Sequence, residues 1–333
     1  MVKAGIIGRG LIGSELYKRL IKKKWDVVGV ANRSGFSKNS SATGAVIPIA
    51  VRYDTPSEVM DAFFKEDVDV MFLAIPTLDD GQIAQEYIKD SISAGIPIVT
   101  CEKGALGNYF NEVFNPEMLG YSAAVGGGTR LLRYARTQCG GQVEEIHAVV
   151  NGTLNYIFEG LSNGRSLGEV VDETIGLGYA EPGTENPLDV LNKEAVGDVP
   201  MKAAILYNVC GLTENKIRAK DVERKELSDK DLSSLVREAK KRRYIVSFTR
   251  DGRVEDVIGG FKCQIGEWRI SAGFKNIDEN PLYHSLMPEG VNNALLISEG
   301  RYGKDGHYKV SGPGAGAAPT ASAMIKDAVD LLK

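Results

Sequence analysis

Six residues near the N-terminus, Gly8-Arg9-Gly10-Leu11-Ile12-Gly13, constrain the fold of this chain more than any other stretch. A GxGxxG pattern alone carries little weight among 38 glycines, but its setting does. The apolar run Ala4 to Ile7 leads into it, the helix-like segment Ser14 to Lys24 leads out, and a second apolar run, Val27 to Ala31, follows. Strand, glycine turn and helix in that order form the βαβ unit in which such a motif holds a dinucleotide pyrophosphate. Gly8 permits the tight turn, Gly10 lets a phosphate approach the backbone, and Gly13 allows close helix packing. Leu11 and Ile12 lie within the motif and count with its glycines as cofactor-binding residues, and the start of the helix that follows offers free N–H groups and a positive dipole end to an anion.

The alternation continues through Val68 to Ala74, a helical stretch near Asp80 to Ala94, and Ile96 to Thr100. It predicts an α/β Rossmann domain, a doubly wound parallel sheet, over residues 1–140. From about Gly141, helices with longer connections give way to strand-like runs at Arg243 to Thr249, Val257 to Gln264 and Asn293 to Ser298. These predict an α+β second domain over 141–310. A glycine-rich turn followed by Ala321 to Leu332 predicts a C-terminal helix, within 311–333, that returns to the first domain. Two domains suit 333 residues.

A formal net charge of -4, with basic runs no longer than the four residues Lys240-Lys241-Arg242-Arg243, gives no electrostatic footprint for nucleic acid and points to a small-molecule partner. Cys101, Cys139, Cys210 and Cys263 show no CxxC spacing, and His147, His284 and His307 are scattered, so neither a zinc site nor a disulfide framework is expected. The first residues run directly into the glycine motif, without the segments of a signal peptide, and no apolar stretch reaches membrane-spanning length. The expectation is a cytoplasmic protein with no membrane partner.

A ribose-binding acid ordinarily stands at the end of the second strand of such a domain. Here that place holds Asn32, followed by Arg33 and Ser34. A guanidinium and two neutral polar groups receive a 2′-phosphate that an acid would repel, which favours NADP(H), with NAD(H) as the alternative. Two further strand ends lie where ligands of open α/β sheets bind. Pro76 and Thr77 follow one, and Thr100 and Lys103 close another. Lys103 there is either a functional cation or a surface charge.

Between Asp198 and Glu214 the only charged residues are Asp198 and Lys202. A helix so apolar should be buried, and a buried lysine is costly unless paired or employed. Asp198 and Lys202 share one helical face, with Pro200 tolerable in the first turn. Spacing alone leaves open whether this is an ion pair at a helix start or a functional lysine.

At these residues the chain resembles the homoserine dehydrogenases. The likeness rests on seven ordered segments: GRGLIG at Gly8, VTCEK at Val99, AAVGGGTRLL at Ala123, NGTLNYI at Asn151, LGYAEP at Leu177, DVPMKAAIL at Asp198 and SGPGAGAAPTASA at Ser311. The resemblance implies reversible NAD(P)-dependent hydride transfer between L-homoserine and L-aspartate 4-semialdehyde, on the route to threonine, methionine and isoleucine, by a homodimer. It implies catalytic roles for Lys202 and Lys103, substrate contacts from Glu181, Asp198, Thr153 and Tyr179, and a glycine turn near the cofactor at Gly314 to Gly316.

Two departures stand out. Asp189 and Asp198 are nine apart where the family has five, so Glu194 competes for the second acidic place; Asp198 is preferred because it keeps the step to Lys202. Many relatives bind a monovalent cation through a Glu side chain and nearby carbonyls. Ser122 stands at the Glu position, which leaves the carbonyls of Val125, Gly127 and Thr129 as a weakened cation site. Neither an ACT regulatory segment nor an aspartate kinase is expected. The rival readings are another dehydrogenase, such as one acting on aspartate, a silent NADP-binding sensor, and an acyl-phosphate reductase using Cys101.

Overall fold

A computed structural model describes residues 1–32, 35–38, 52–140, 142–180, 186–250 and 256–333. The chain divides into two compact units, Met1–Arg130 with Gly316–Lys333, and Leu131–Ala315.

In the first unit the described strands are β1 (Lys3–Ile7), β2 (Asp26–Asn32), β3 (Gly35–Lys38), β4 (Val70–Leu73), β5 (Ile98–Thr100) and β6 (Leu119–Gly120). They form a sheet in the order β3-β2-β1-β4-β5-β6. β1 pairs parallel with β2 and β4, β5 with β4 and β6, and the edge strand β3 runs antiparallel to β2. The strand order reverses at β1, between β2 and β4, the crevice where open α/β sheets bind their ligands. Almost every residue of β1, β2 and β4 is buried, as expected of strands covered on both faces. The helix Leu11–Lys22 lays Leu16 and Leu20 on this sheet beside Ile6, Val27 and Phe72.

The C-terminal helix Ala317–Leu331 packs into the same core through Ala321, Met324 and Ala328. It begins four residues before the expected start, because Gly316, at φ 109°, makes the turn and Pro319 falls where the first turn tolerates it.

The described strands of the second unit are β7 (Val143–Val149), β8 (Arg242–Thr249), β9 (Ile258–Ile265), β10 (Trp268–Asn276), β11 (Asn292–Glu299) and β12 (Gly306–Pro313). They form an antiparallel sheet in the order β12-β11-β7-β8-β10-β9. The helix Val199–Cys210, buried from Ala203 onward, is the apolar helix expected from its sequence.

A polar network lies inside this sheet. His147 Nε2 meets Glu145 at 2.8 Å, His147 Nδ1 meets Ser247 at 2.9 Å, and the Asn280 amide and Tyr302 N–H donate to Glu145 at 2.8 and 2.9 Å. Burial alone would push the Glu145 carboxyl up; the hydrogen bond and charge of His147, with the Tyr302 and Asn280 donors, outweigh it and hold the carboxyl at about 2. A carboxyl depressed in the folded state stabilises the fold above its unfolded value of about 4.3, and this contribution is lost as pH falls toward 2. Glu145→Gln should therefore lower the thermal midpoint near neutrality, and its deficit against wild type should shrink as calorimetry is repeated from pH 5 down to about pH 3.

Candidate active site

The glycine loop shows which of its glycines the protein itself requires. Gly8 has φ 105°, and a Cβ there would lie 2.1 Å from the Ala74 carbonyl oxygen. At Gly13 a Cβ would lie 2.0 Å from the Gly8 oxygen. Gly10 is different: its φ of -73° suits any residue, and a Cβ would meet nothing within 4 Å. Packing accounts for Gly8 and Gly13 and leaves Gly10 unexplained. Gly10 and the following Leu11, 85 % exposed, flank the uncapped start of the helix. Open space beside unpaired helical N–H groups is the cradle a phosphate needs.

At the end of β2, Asn32 is exposed, while Arg33 and Ser34 lie outside the described residues. Pro76 and Thr77 are exposed beyond β4. Thr77 donates its hydroxyl to Glu102 at 2.6 Å, and Glu102, 2 % exposed, also accepts the N–H groups of Gly104 at 2.5 Å and Ala105 at 2.9 Å. Thr100 Oγ1 accepts the Glu102 N–H at 2.9 Å. Glu102 thus ties the loop after β4 to the loop after β5, where Lys103 precedes the helix Gly104–Asn108. The sequence reading passed over Glu102, because a glutamate beside a lysine looks like an ordinary solvated pair. Burial pushes the Cys101 thiol up to about 12, with Glu102 adding, which disfavours the thiolate that an acyl-phosphate reductase needs.

In the second unit a charged cluster forms where three elements converge. The helix Gly152–Ser162 is capped by Asn151, whose Oδ1 accepts the Leu154 N–H at 2.8 Å. That bond fixes the amide orientation and aims Nδ2 at Glu194 (2.5 Å) and Asp198 (3.0 Å). Lys202 Nζ lies 2.6 Å from Asp198 and donates to the Val150 carbonyl at 2.9 Å. Asp198 and Lys202 side chains are 16 % and 15 % exposed, nearly buried yet open at one side. The ion-pair reading of their spacing is therefore correct, and the pair is also part of a larger polar site. Thr153 donates to the Tyr179 carbonyl at 2.7 Å, which pins the turn leading to Glu181. Glu181 itself lies outside the described residues.

Both acids that competed in the sequence are present in this cluster, and a π-helical turn brings them together. Residues Lys193–Asp198 wind as π helix between the helices Pro187–Asn192 and Val199–Cys210. Glu194, Asp198 and Lys202 follow at steps of four along this continuous helical segment. Pro200 has no N–H to give the carbonyls one wide turn behind it. Tyr244 donates its hydroxyl to the Ala195 oxygen at 2.7 Å, and Arg224 donates to the Val196 oxygen at 2.9 Å. Burial, with the Asp198 charge adding, raises the Tyr244 phenol far above its usual range and keeps it a donor. Local sequence holds no sign of Tyr244 or Arg224, because both reach the turn from elsewhere in the fold.

Asn151 and Lys202 thus hold two carboxylates and an ammonium side by side. Such a site suits a small ligand bearing an ammonium group, with a polar atom to place beside Lys202.

A family model described as homoserine dehydrogenase matches residues 131–329 of the chain. The homoserine dehydrogenase of Saccharomyces cerevisiae is 26% identical over 99% of the chain and 98% of that protein. The NAD(+)-dependent homoserine dehydrogenase of Pseudomonas canavaninivorans is 26% identical over 76% of the chain and 67% of that protein. Among solved structures, a hyperthermophilic archaeal homoserine dehydrogenase in complex with NADPH superposes with a TM-score of 0.68 at 22% identity, over 99% of this chain and 97% of that one.

Proposed function

The chain belongs to the homoserine dehydrogenase family, and from that premise we propose that it interconverts L-homoserine and L-aspartate 4-semialdehyde, with the dinucleotide held by the first unit and the amino acid by the second. The observation that carries this reading is the Asn151–Glu194–Asp198–Lys202 cluster, which sets two carboxylates, suited to the α-ammonium that substrate and product share, beside a lysine suited to the reacting oxygen. A reduced nicotinamide supplies the hydride when bound. Gly8, Gly10 and Gly13, the helix start at Leu11 and Ile12, and the strand ends at Pro76, Thr77, Thr100 and Lys103 are the residues that would hold it, with Gly316 ahead of the C-terminal helix. The open space at Gly10 supports this fit.

Addition of hydride to the aldehyde carbon creates an alkoxide, which needs a proton or a facing positive charge. Lys202 is the proposed donor. The Val150 carbonyl and Asp198 keep its ammonium in place, and Lys103 is a second cationic group. Glu194, Asp198 and Glu181 bind the substrate ammonium, while Thr153 holds the Tyr179 carbonyl, two residues ahead of Glu181 in the chain. In the reverse direction Lys202, deprotonated, takes the homoserine hydroxyl proton. Asn151 carries no charge and moves no proton; it keeps the two carboxylates aligned.

NADP(H) is the proposed preferred cofactor, NAD(H) the lesser one. Asn32 at the end of β2 would not repel a 2′-phosphate, and Arg33 would attract it. Arg33→Ala should weaken NADP(H) binding roughly tenfold or more, the scale of a lost charge-assisted bond, while NAD(H) affinity changes little. Equal losses for both cofactors, measured by fluorescence titration, would remove Arg33 from that role. The reading also includes a homodimer working in the cytoplasm. The four cysteines are free thiols, and among the described residues no helix is long and apolar enough to cross a membrane. The direct test of the whole reading is absorbance at 340 nm with homoserine and NADP, against aspartate and NAD as controls.

A further inference from the structure

The Ser122–Arg130 turn, where relatives place a monovalent cation, has a different electrostatic design in this chain. Gly126 and Gly127 take φ of 75° and 47°, and the turn ends at Arg130, itself left-handed at φ 56°. A non-glycine residue adopts that conformation only at a cost. Here it accompanies an ion pair across the unit. Arg130 Nη2 donates to Asp327 Oδ1 at 3.0 Å and to Asp330 Oδ2 at 3.2 Å, both on the C-terminal helix. Asp327 is 3 % exposed, and its two oxygens also accept the Ser122 hydroxyl and the Ser122 N–H, each at 2.7 Å. Gly120 permits this approach: a Cβ there would lie 2.8 Å from the Asp327 Cβ.

A hard cation such as Na⁺ needs several oxygen ligands, at least one of them preferably anionic. Ser122 offers its hydroxyl to Asp327 as a donor, and the Asp327 carboxylate is occupied by two donors from Ser122 and by the guanidinium. The carbonyls of Val125, Gly127 and Thr129 are neutral, and Ser122, standing where an acid would be needed, is committed as a donor to Asp327. The residues present do not fit a bound ion.

We propose that Arg130 supplies, as a permanent part of the chain, the positive charge that binds this turn to the C-terminal helix, so that neither Na⁺ nor K⁺ is needed there. The expectation of a cation comes from the family placement, whereas the thermal midpoint used below does not depend on the proposed catalytic roles.

The test compares the exhaustively dialysed full-length protein in NaCl, KCl and tetramethylammonium chloride at equal ionic strength, by thermal unfolding and by initial rate. Equal midpoints and equal rates in the three salts are expected. A saturable rise in midpoint with Na⁺ or K⁺ that tetramethylammonium does not reproduce means that an ion binds the folded state, and overturns the proposal if it is accompanied by activation. Such a rise without activation overturns it equally, since the turn would then be ion-stabilised. Arg130→Met should lower the midpoint by roughly 5 °C or more, because it strands Asp327 as a buried charge. Arg130→Lys should recover part of that loss. A Met variant as stable as wild type would refute the role of Arg130. Should the Met variant fail to fold, the salt comparison on the wild-type chain still decides the matter.

Discussion

Lys202→Met should reduce turnover by roughly two powers of ten or more, the usual scale for losing a general acid, while leaving NADPH affinity nearly unchanged. Methionine keeps the length and apolar stem of lysine, so the buried body of the helix Val199–Cys210 should pack as before. What disappears is the ammonium beside Asp198 and the Val150 carbonyl. Asp198 and Glu194 then face each other through Asn151 with their nearest ammonium gone, and homoserine binding could weaken or strengthen in consequence. Turnover at saturating homoserine separates the two effects, since added substrate corrects a binding defect and does not replace a proton donor. The pH profile provides a second readout, because loss of the lysine should abolish whichever limb of the homoserine oxidation profile it governs. Near-normal turnover at saturation would make Lys202 a structural partner of Asp198 and move the proton chemistry to Lys103.

How much of this was legible beforehand differs between the two units for physical reasons. In the first, strand, glycine turn and helix are contiguous, and local chemistry dictates each. The sheet order and the Gly8 and Gly13 contacts follow the reading of the motif closely. In the second, β10 was not singled out, although it is a central strand. Its sequence alternates apolar Trp268, Ile270, Ala272 and Phe274 with Arg269, Ser271, Gly273 and Lys275, a strand signal the sequence reading passed over, and most of the strand is buried on both faces. Its lysine is hidden as well: Lys275, 0 % exposed, donates to Ser271 at 2.7 Å. β12 was also missed, as an edge strand whose residues are largely exposed and polar.

At the candidate site the four-residue step from Asp198 to Lys202 was readable, since helical geometry alone brings those side chains together. The place of Glu194 was not. It depends on a π turn that absorbs extra residues between the flanking helices, and that turn depends on two donors, Tyr244 and Arg224, supplied by distant sequence. Asn151 was not read as a helix cap, and its second role needed the fold in any case, because a capping amide uses only its oxygen and leaves the nitrogen to whatever the tertiary structure presents.

Gly10→Val should separate ligand binding from folding more sharply than any other substitution in the glycine loop. The backbone at Gly10 has φ -73° and ψ -164°, an extended conformation that valine adopts readily. A Cβ there meets nothing within 4 Å, so the thermal midpoint of the free protein should move by no more than about 2 °C, the scale of a change at a helix N-cap. Valine would, however, place three carbons in the space proposed for the pyrophosphate and cover the N–H groups that would receive it. Affinity for NADPH should fall by roughly two powers of ten, the scale of losing two charge-assisted hydrogen bonds. Gly13→Ala provides the contrast. Its Cβ would lie 2.0 Å from the Gly8 oxygen, so the loop must open and stability should drop by about 2 kcal/mol or more, with NADPH binding lost as a consequence. Calorimetry without ligand and fluorescence titration with NADPH distinguish the two variants. If Gly10→Val binds NADPH as wild type does, the open space beside Gly10 is not the phosphate site, and the dinucleotide must cross the sheet elsewhere.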